Sequence, residues 1–305
     1  MQRLKVTNDF VFKKLFGEVG SEVILISFLN AVLNKTHEVI TEIIINEDTE
    51  LTAELLEDKM GRIDVRAKTV EGEEIDIEIQ VVDRQNMGKR TMFYWSKLYL
   101  EGIQKGQDYS TLAKVITINI LDFNYTGVDK YHSSYHLWED DVKDYKLTDV
   151  VEIHFIELPK FRKLAKNYND ENKLNLWLKF IGEKNISKEE LENMGKLEPA
   201  IQMAEDKLEY LSSDPKAIAR YKAREYAEHE RASFYGSGYN KGLEEGLEDG
   251  RKEGLKKGLE QGIEQGIEQG IYNVAKKLIS VLDDEAIAST TGLTIEEVQQ
   301  IRREK

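Results

Sequence analysis

The sequence predicts an α/β fold: a central mixed sheet flanked by helices, followed by an all-helical C-terminal extension that contains a Gly-x-x-x repeat helix. Two segments predict the sheet. Residues 61–80 alternate apolar and polar side chains, as two half-buried strands do, and residues 115–121 form a continuous apolar run typical of a buried strand. One segment predicts the repeat helix, because glycine returns at every fourth position of 242–271 among residues that favour helix.

The remaining elements follow from periodicity and from the residues that end each pattern. Strands are expected at 40–45, in the hairpin 61–80, and at 115–121, 131–138 and 150–158. Helices are expected at 9–16, 23–33, 87–103, 174–181, 188–210 and 215–234. Gly102 and Gly106 mark the end of one helix, and Pro159 ends the last strand because proline has no N–H for the ladder.

The register of the hairpin 61–80 places two carboxylates opposite each other. Gly72 suits the left-handed last position of a three-residue loop, 70–72, and that loop pairs Asp64 with Glu78. Opposed side chains lie about 5 Å apart at Cβ, where like charges are destabilising. A hard divalent cation such as Mg²⁺ or Mn²⁺ would neutralise them, and Gln80 lies on the same face. The alternative is a solvated outer face of an edge hairpin.

These residues also resemble a known pattern. Asp64 followed by Glu78-x-Gln80 resembles the D…(E/D)-x-K core of PD-(D/E)XK phosphodiesterases, with glutamine at the lysine position. The chain contains, in order, TNDFVFKKLFG, ILISFLNAVL, GRIDV, IEIQ, YWSKLY and IELPKF. This ordered set, over about residues 5–270, resembles the Rpn family of recombination-promoting nucleases, which are also labelled transposases.

The resemblance implies a restriction-endonuclease-like core, DNA as the substrate and Mg²⁺ as the cofactor, with Mn²⁺ or Ca²⁺ as alternatives. Asp64 and Glu78 would bind the metal, with the Ile79 carbonyl as a further ligand, and Gln80 would orient the attacking water. A neutral amide cannot lend the charge that lysine supplies at this position.

Further candidates come from the N-terminal helix and from the helix after the hairpin. Asp9 would complete the acidic cluster, as would Glu42 or Glu47, and the alternative for Asp9 is an N-terminal helix cap. The helix after the hairpin is locally basic, and its positive residues near the site are opposed only by Glu101. We expect DNA contacts from Arg90, Tyr94 and Lys97. An ordinary solvated helix face is the alternative.

Composition excludes several classes of protein. The 305 residues carry a formal net charge of −14, which argues against general polyanion binding, and contain no cysteine, which excludes a disulfide framework. No signal peptide is evident, and the longest apolar stretch, 23–33, is too short to span a bilayer, so a cytoplasmic location without membrane attachment is expected. No phosphate-binding loop and no G-x-S-x-G motif are present, so nucleotide-driven motors and α/β-hydrolases are not supported.

The glycine repeat predicts a self-association helix. Each glycine costs about 1 kcal/mol relative to alanine inside a helix, so an outside partner must stabilise the segment. A bare glycine stripe with leucine or isoleucine beside it favours close pairing between chains and hence a homo-oligomer. Four residues advance a helix by about 400°, so the glycine stripe drifts around the helix by roughly 40° per repeat. Helices that pair along this stripe would form a right-handed supercoil. The alternative is a flexible connector.

The last segment, 274–301, resembles a small helix-turn-helix with a capping box at Thr294 and Glu297. Acidic residues at the start of its second helix would repel phosphate, which favours a packed helical hairpin over a DNA-reading element. The predicted domains are the nuclease-like core 1–165, a helical extension 166–235, the repeat helix 236–272 and the helical hairpin 273–305.

Three functions are consistent with these observations. The first is a metal-dependent DNA endonuclease that hydrolyses phosphodiester bonds, with a recombination-promoting or transposase-like role. The second is a non-catalytic, oligomerising DNA-binding or adaptor protein with a degenerate nuclease site, which Gln80 and the acidic charge favour. The third is a metal-dependent RNase, which differs from the first only in its substrate, and no residue pattern here reads a 2′-hydroxyl.

Overall fold

The computed structural model describes residues 3–33, 39–46, 64–142, 144–164, 172–183 and 185–304. The chain divides into two compact units, Met1–Ala232 and Ser233–Lys305. Residues 61–63 of the predicted hairpin and the candidate Glu47 lie outside the described residues.

The described strands of the first unit form one six-stranded mixed sheet. They are β1 (Ile43–Asn46), β2 (Val65–Thr69), β3 (Glu74–Gln80), β4 (Val115–Leu121), β5 (His132–Trp138) and β6 (Lys146–Glu157). Their order is β1-β2-β3-β4-β6-β5. The pairs β3·β4 and β4·β6 are parallel and the other pairs are antiparallel. The predicted mixed sheet is therefore confirmed.

Helices flank this sheet and then dominate the rest of the chain. The helices are α1 (Asp9–Phe16), α2 (Glu22–Leu33), α3 (Met87–Glu101), α4 (Leu158–Leu164), α5 (Lys173–Gly182), α6 (Lys188–Leu197), α7 (Pro199–Ser213), α8 (Pro215–Leu278), α9 (Asp284–Thr291) and α10 (Ile295–Arg303). The α/β sheet followed by a helical C-terminal region agrees with the predicted fold class.

The predicted hairpin register is confirmed. Val65 pairs with Ile77, and the Thr69 amide donates to the Glu73 carbonyl at 3.0 Å, which leaves a three-residue loop ending at Gly72. Gly72 has φ +93°, a left-handed conformation that glycine adopts without steric cost. The same register, continued by one residue, places Asp64 across from Glu78.

The two faces of β3 meet different helices. Ile75, Ile77 and Ile79 face the main core, where α1, α2 and α5 supply most of the aromatic side chains. The ring centroids of Phe16 and Trp177 lie 5.5 Å apart there. The opposite face of the sheet packs against α3. Since helices cover both sides of the sheet here, β3 is buried on both faces, and its two edges are paired with β2 and β4. The alternative of an edge hairpin with a solvated outer face is therefore wrong for β3.

Three predicted boundaries are also corrected. The predicted helix 188–210 is two helices, because Glu198 has an extended backbone and Pro199 begins α7, where a missing N–H is tolerated. The last strand begins at Lys146, four residues earlier than predicted, and ends at Glu157. Pro159 lies in the first turn of α4, where its missing N–H is also tolerated. The helix predicted at 215–234 continues through the glycine repeat as α8, since no residue there ends it.

The second unit contains the glycine repeat and a small terminal core. Leucine and isoleucine side chains of the repeat are exposed, and a Cβ added at its glycines would meet no atom within 4 Å among the described residues. The end of α8 packs against α9 and α10 through Ala275, Ile279, Ile287, Val298 and Ile301. The capping box at Thr294 is present, so the predicted packed hairpin is confirmed. None of the described helices is long and apolar enough to cross a membrane.

Candidate functional site

Asp64 is held at the end of β3 by a backbone hydrogen bond. It lies in the bend before β2, and its Oδ2 accepts from the Ile79 amide N–H at 2.8 Å. The residue as a whole is half-buried. In a strand, the N–H and C=O of one residue point to the same edge, so the Ile79 carbonyl is directed to the Asp64 side of β3.

The Glu78 carboxylate is bonded to Arg90 of α3 through one oxygen, and its other oxygen has no hydrogen-bond partner among the described residues. Its side chain is nearly inaccessible to solvent, with 1% of the residue exposed. Its Oε2 accepts from Arg90 Nη2 at 2.9 Å and from Gln80 Nε2 at 3.3 Å. Its Oε1 is buried and has no hydrogen-bond partner among the described residues. A buried polar atom of this kind calls for an additional ligand or a structural explanation.

The surroundings of Asp64 and Glu78 disfavour the charged form of both carboxyls. Burial raises the pKa of Asp64 well above its usual range, and the charge of Glu78 and then that of Asp9 add to the effect, against the Ile79 amide. Burial also raises the pKa of Glu78, although the Arg90 guanidinium opposes it. Asp64 and Glu78 therefore share one electrostatic environment, in which Arg90 lowers the pKa of both carboxyls, and a divalent cation would neutralise their charges further.

Asp76 belongs to the same face of β3 and is a site residue that was not predicted from the sequence. It lies two residues before Glu78 and is 2% exposed. Its Oδ1 has no hydrogen-bond partner in the part of the chain that the structure describes. Burial and then the charge of Glu78 raise the pKa of Asp76 well above its usual range. The sequence does contain a signal for Asp76, because residues 76, 78 and 80 alternate along one strand and their side chains therefore lie on the same face.

Asp9 approaches from the first turn of α1. Asn8 caps this helix, since its side chain accepts from the Val11 amide, so the alternative reading of Asp9 as the cap is wrong. Asp9 Oδ2 lies 3.8 Å from Arg224 Nη1. The charge of Asp9 raises the pKa of Asp64. Glu42 precedes β1 and is exposed.

Of the three predicted DNA-contact residues on α3, Arg90 bonds to a carboxylate, and Tyr94 is buried beside Arg90 with 3% of the residue exposed. Arg90 pairs with Glu78, and its guanidinium carbon lies 5.1 Å from the centre of the Tyr94 ring. Burial and then the charge of Glu78 raise the pKa of Tyr94. Lys97 lies further along the helix, with its Nζ 5.3 Å from the centre of the Phe93 ring. No contact between Lys97 and the carboxylates is found among the described residues.

The raised pKa values predict how pH changes the stability of the metal-free protein. A carboxyl whose folded pKa lies above its unfolded value binds more protons when folded, so its contribution to stability falls as the pH rises from about 4, the usual carboxyl range. We expect the melting temperature in EDTA to fall more steeply for the natural protein than for Asp76→Asn as the pH rises above about 4. Equal pH slopes for the two proteins would contradict this expectation.

The donor set fits a hard divalent cation. Carboxylate and carbonyl oxygens are the ligands of Mg²⁺ and Mn²⁺, and Glu78 and Asp76 each present a buried oxygen without a partner among the described residues. In this arrangement no three acidic or histidine side chains of the described chain converge tightly enough to hold an ion as they stand. Arg90 occupies one Glu78 oxygen, so a cation bound here would require these side chains to rearrange.

Comparison with known families gives one match. A family model described as PD-(D/E)XK nuclease family transposase matches residues 6–237. The matched range contains Asp9, Asp64, Glu78, Gln80 and Arg90, and it confirms the resemblance indicated by the ordered motifs. No curated protein and no solved structure matches the chain at a significant level.

Proposed function

Because this chain belongs to the PD-(D/E)XK nuclease family transposases, we propose that it is a metal-dependent endonuclease that hydrolyses phosphodiester bonds of DNA in a recombination-promoting or transposase-like role. The observation that carries the proposal is the pairing of Asp64 with Glu78 at the end of β3, where one carboxylate is bonded to a backbone amide and the other keeps a buried oxygen without a partner among the described residues.

Each residue of the site has its own role in the proposed reaction. A divalent ion, when bound, polarises the scissile phosphate and makes a water nucleophilic at neutral pH. Asp64 and Glu78 hold that ion, with the Ile79 carbonyl as a further ligand. Gln80, whose amide lies 3.3 Å from Glu78, orients the attacking water by hydrogen bonding. Arg90, which is partly exposed beside Glu78, contacts the phosphate of the substrate strand. Tyr94 is 3% exposed and packs with Leu98 and Val115, so it supports the Arg90 guanidinium from within the protein.

A second function, a non-catalytic adaptor with a degenerate site, is favoured by one observation. Gln80 is neutral where the family pattern has lysine, and its amide donates to Glu78. A neutral amide can orient water but cannot stabilise developing negative charge as an ammonium does. This alternative predicts DNA binding or oligomerisation without any cleavage.

The test of the proposal is cleavage of supercoiled plasmid by the purified full chain with Mg²⁺, Mn²⁺, Ca²⁺ or EDTA. We expect nicked and linear products with Mg²⁺ or Mn²⁺ and intact plasmid with EDTA. A structured RNA incubated in parallel separates a DNA endonuclease from an RNase. Intact plasmid and intact RNA with every ion would reject the nuclease function and favour the adaptor.

We propose further that the protein is a homo-oligomer through the glycine repeat of α8. The exposed leucines and isoleucines beside the glycines support this, because an unpartnered apolar stripe of this length is unfavourable in water. The open space at each glycine Cβ shows that no contact within the described chain requires these glycines.

Alanine at three repeat positions tests this proposal. Gly250→Ala, Gly254→Ala and Gly258→Ala together should raise the helix content, since each change favours helix by about 1 kcal/mol, yet should weaken self-association in sedimentation equilibrium because a methyl group separates the paired backbones. The matched control is Glu260→Ala, Glu264→Ala and Glu268→Ala, which adds alanine outside the glycine stripe. Unchanged association in the glycine variant would contradict this interface.

A further inference from the structure

Three buried polar atoms without partners gather on one patch of the sheet under α3. They are Asp76 Oδ1, Glu78 Oε1 and Thr117 Oγ1, and none has a hydrogen-bond partner among the described residues. The three residues are between 1% and 2% exposed. Such atoms are rare in native proteins because each loses its hydrogen bonds to water without replacement.

The sheet register brings these atoms together. Asp76 and Glu78 are two residues apart on β3, so their side chains leave the same face, about 7 Å apart at Cα. Thr117 on β4 is the register partner of Asp76, and the parallel strands lie about 4.8 Å apart. The neighbours Ile116 and Ile118 point into the main core, so Thr117 points to the α3 side.

No basic side chain of the described chain forms an ion pair with Asp76. Arg66 is its register partner on β2, but the Arg66 guanidinium donates to Glu74 at 3.2 Å and to Glu101 at 2.8 Å. Arg90 donates to the other Glu78 oxygen. Both guanidinium groups lower the pKa of Asp76 only from a distance. A buried carboxylate in this position destabilises the fold unless a ligand compensates it.

We propose that Asp76, Glu78 Oε1 and Thr117 Oγ1 form an inner divalent-cation position beneath α3, in addition to the Asp64–Glu78 pair. Two carboxylates and a hydroxyl are hard oxygen donors, which suit Mg²⁺ or Mn²⁺, and a threonine or serine hydroxyl is a known Mg²⁺ ligand in phosphate-binding loops. This inference rests on the proposed function, because both cation positions use Glu78.

The inner position explains why a charged residue is present at 76. Asparagine has nearly the same shape and would remove the buried charge, so the folded chain by itself would be more stable with it. The carboxylate improves stability only when a cation is present. The proposal therefore links a stability cost in the metal-free protein to a gain on metal binding.

The test compares the natural full chain with Asp76→Asn and Thr117→Val by calorimetric titration with MnCl₂ and MgCl₂, and by melting temperature with EDTA or metal. We expect Asp76→Asn to melt higher than the natural protein in EDTA, to lose at least tenfold in metal affinity, and to show a smaller metal-induced rise in melting temperature. Thr117→Val should weaken metal binding less. The matched control is Asp129→Asn, an exposed carboxylate, which should change neither quantity.

Two outcomes would overturn the inference alone, and a third would reject it together with the proposed function. Metal affinity in Asp76→Asn equal to that of the natural protein, while the natural protein binds metal and cleaves DNA, rejects the inner position alone. A lower melting temperature of Asp76→Asn in EDTA assigns Asp76 a structural role and also rejects it. Absence of metal binding and of cleavage in the natural protein rejects the proposed function, and the inner position with it.

Discussion

Asp64→Ala and Glu78→Gln are each expected to reduce metal-dependent plasmid cleavage by at least about 100-fold, the loss found when one group that stabilises transition-state charge is removed. Asp64 loses its carboxylate entirely. Glu78→Gln keeps the volume of the side chain and its place beside Arg90 but replaces an anionic ligand by a neutral amide. The measurement is the initial rate of nicking of supercoiled plasmid with Mg²⁺ or Mn²⁺.

The matched control for Glu78→Gln is Glu71→Gln. Glu71 lies in the exposed turn of the same hairpin, so the change removes one negative charge from the hairpin without touching β3. Its cleavage rate should equal that of the natural protein, and circular dichroism should show all variants folded. Cleavage that survives both site substitutions would remove the Asp64–Glu78 pair from catalysis and leave the adaptor function as the better account of this chain.

Arg90→Met is expected to lower the free energy of unfolding in EDTA by about 3 kcal/mol, because it leaves the buried Glu78 carboxylate without its counter-charge. The Arg90 guanidinium lies 2.9 Å from Glu78 Oε2, and Glu78 is almost wholly buried, whereas Arg90 is partly exposed. That exposure keeps the expected loss at the lower end of the range for buried pairs. Urea denaturation followed by circular dichroism measures the change.

A double-mutant cycle shows whether the loss comes from the pair. Glu78→Gln combined with Arg90→Met should recover most of the stability, since no unpaired charge then remains inside. Saturating Mg²⁺ should stabilise Arg90→Met more than the natural protein, because the ion replaces the missing positive charge at Glu78. Equal losses in Arg90→Met and in the double variant would show that Arg90 contributes through packing on Tyr94 instead.

The site divides into residues that sequence reasoning could place and residues that it could not. The pairing of Asp64 with Glu78 followed from local chemistry, because a hairpin with a three-residue loop ending at Gly72 has only one register. Asp76 was missed because a period-2 pattern on its own looks the same for a polar face in solvent and a polar face under a helix. Lys97 stays a predicted DNA contact, suggested by its charge, and its Nζ lies 5.3 Å from the centre of the Phe93 ring.

The sequence by itself determined the hairpin register, the buried strand at Val115–Leu121, most helix positions and the family pattern, because turn glycines, periodicity and capping are interactions between residues close in the chain. Tertiary structure alone decided that β3 is covered by α3, that Arg90 meets Glu78, and that Thr117 lies beside Asp76. The parallel pairing of β3 with β4 joins residues about forty positions apart. No local pattern encodes which distant strand and helix will bury a polar face. That burial is what makes Asp64, Asp76 and Glu78 a candidate metal site.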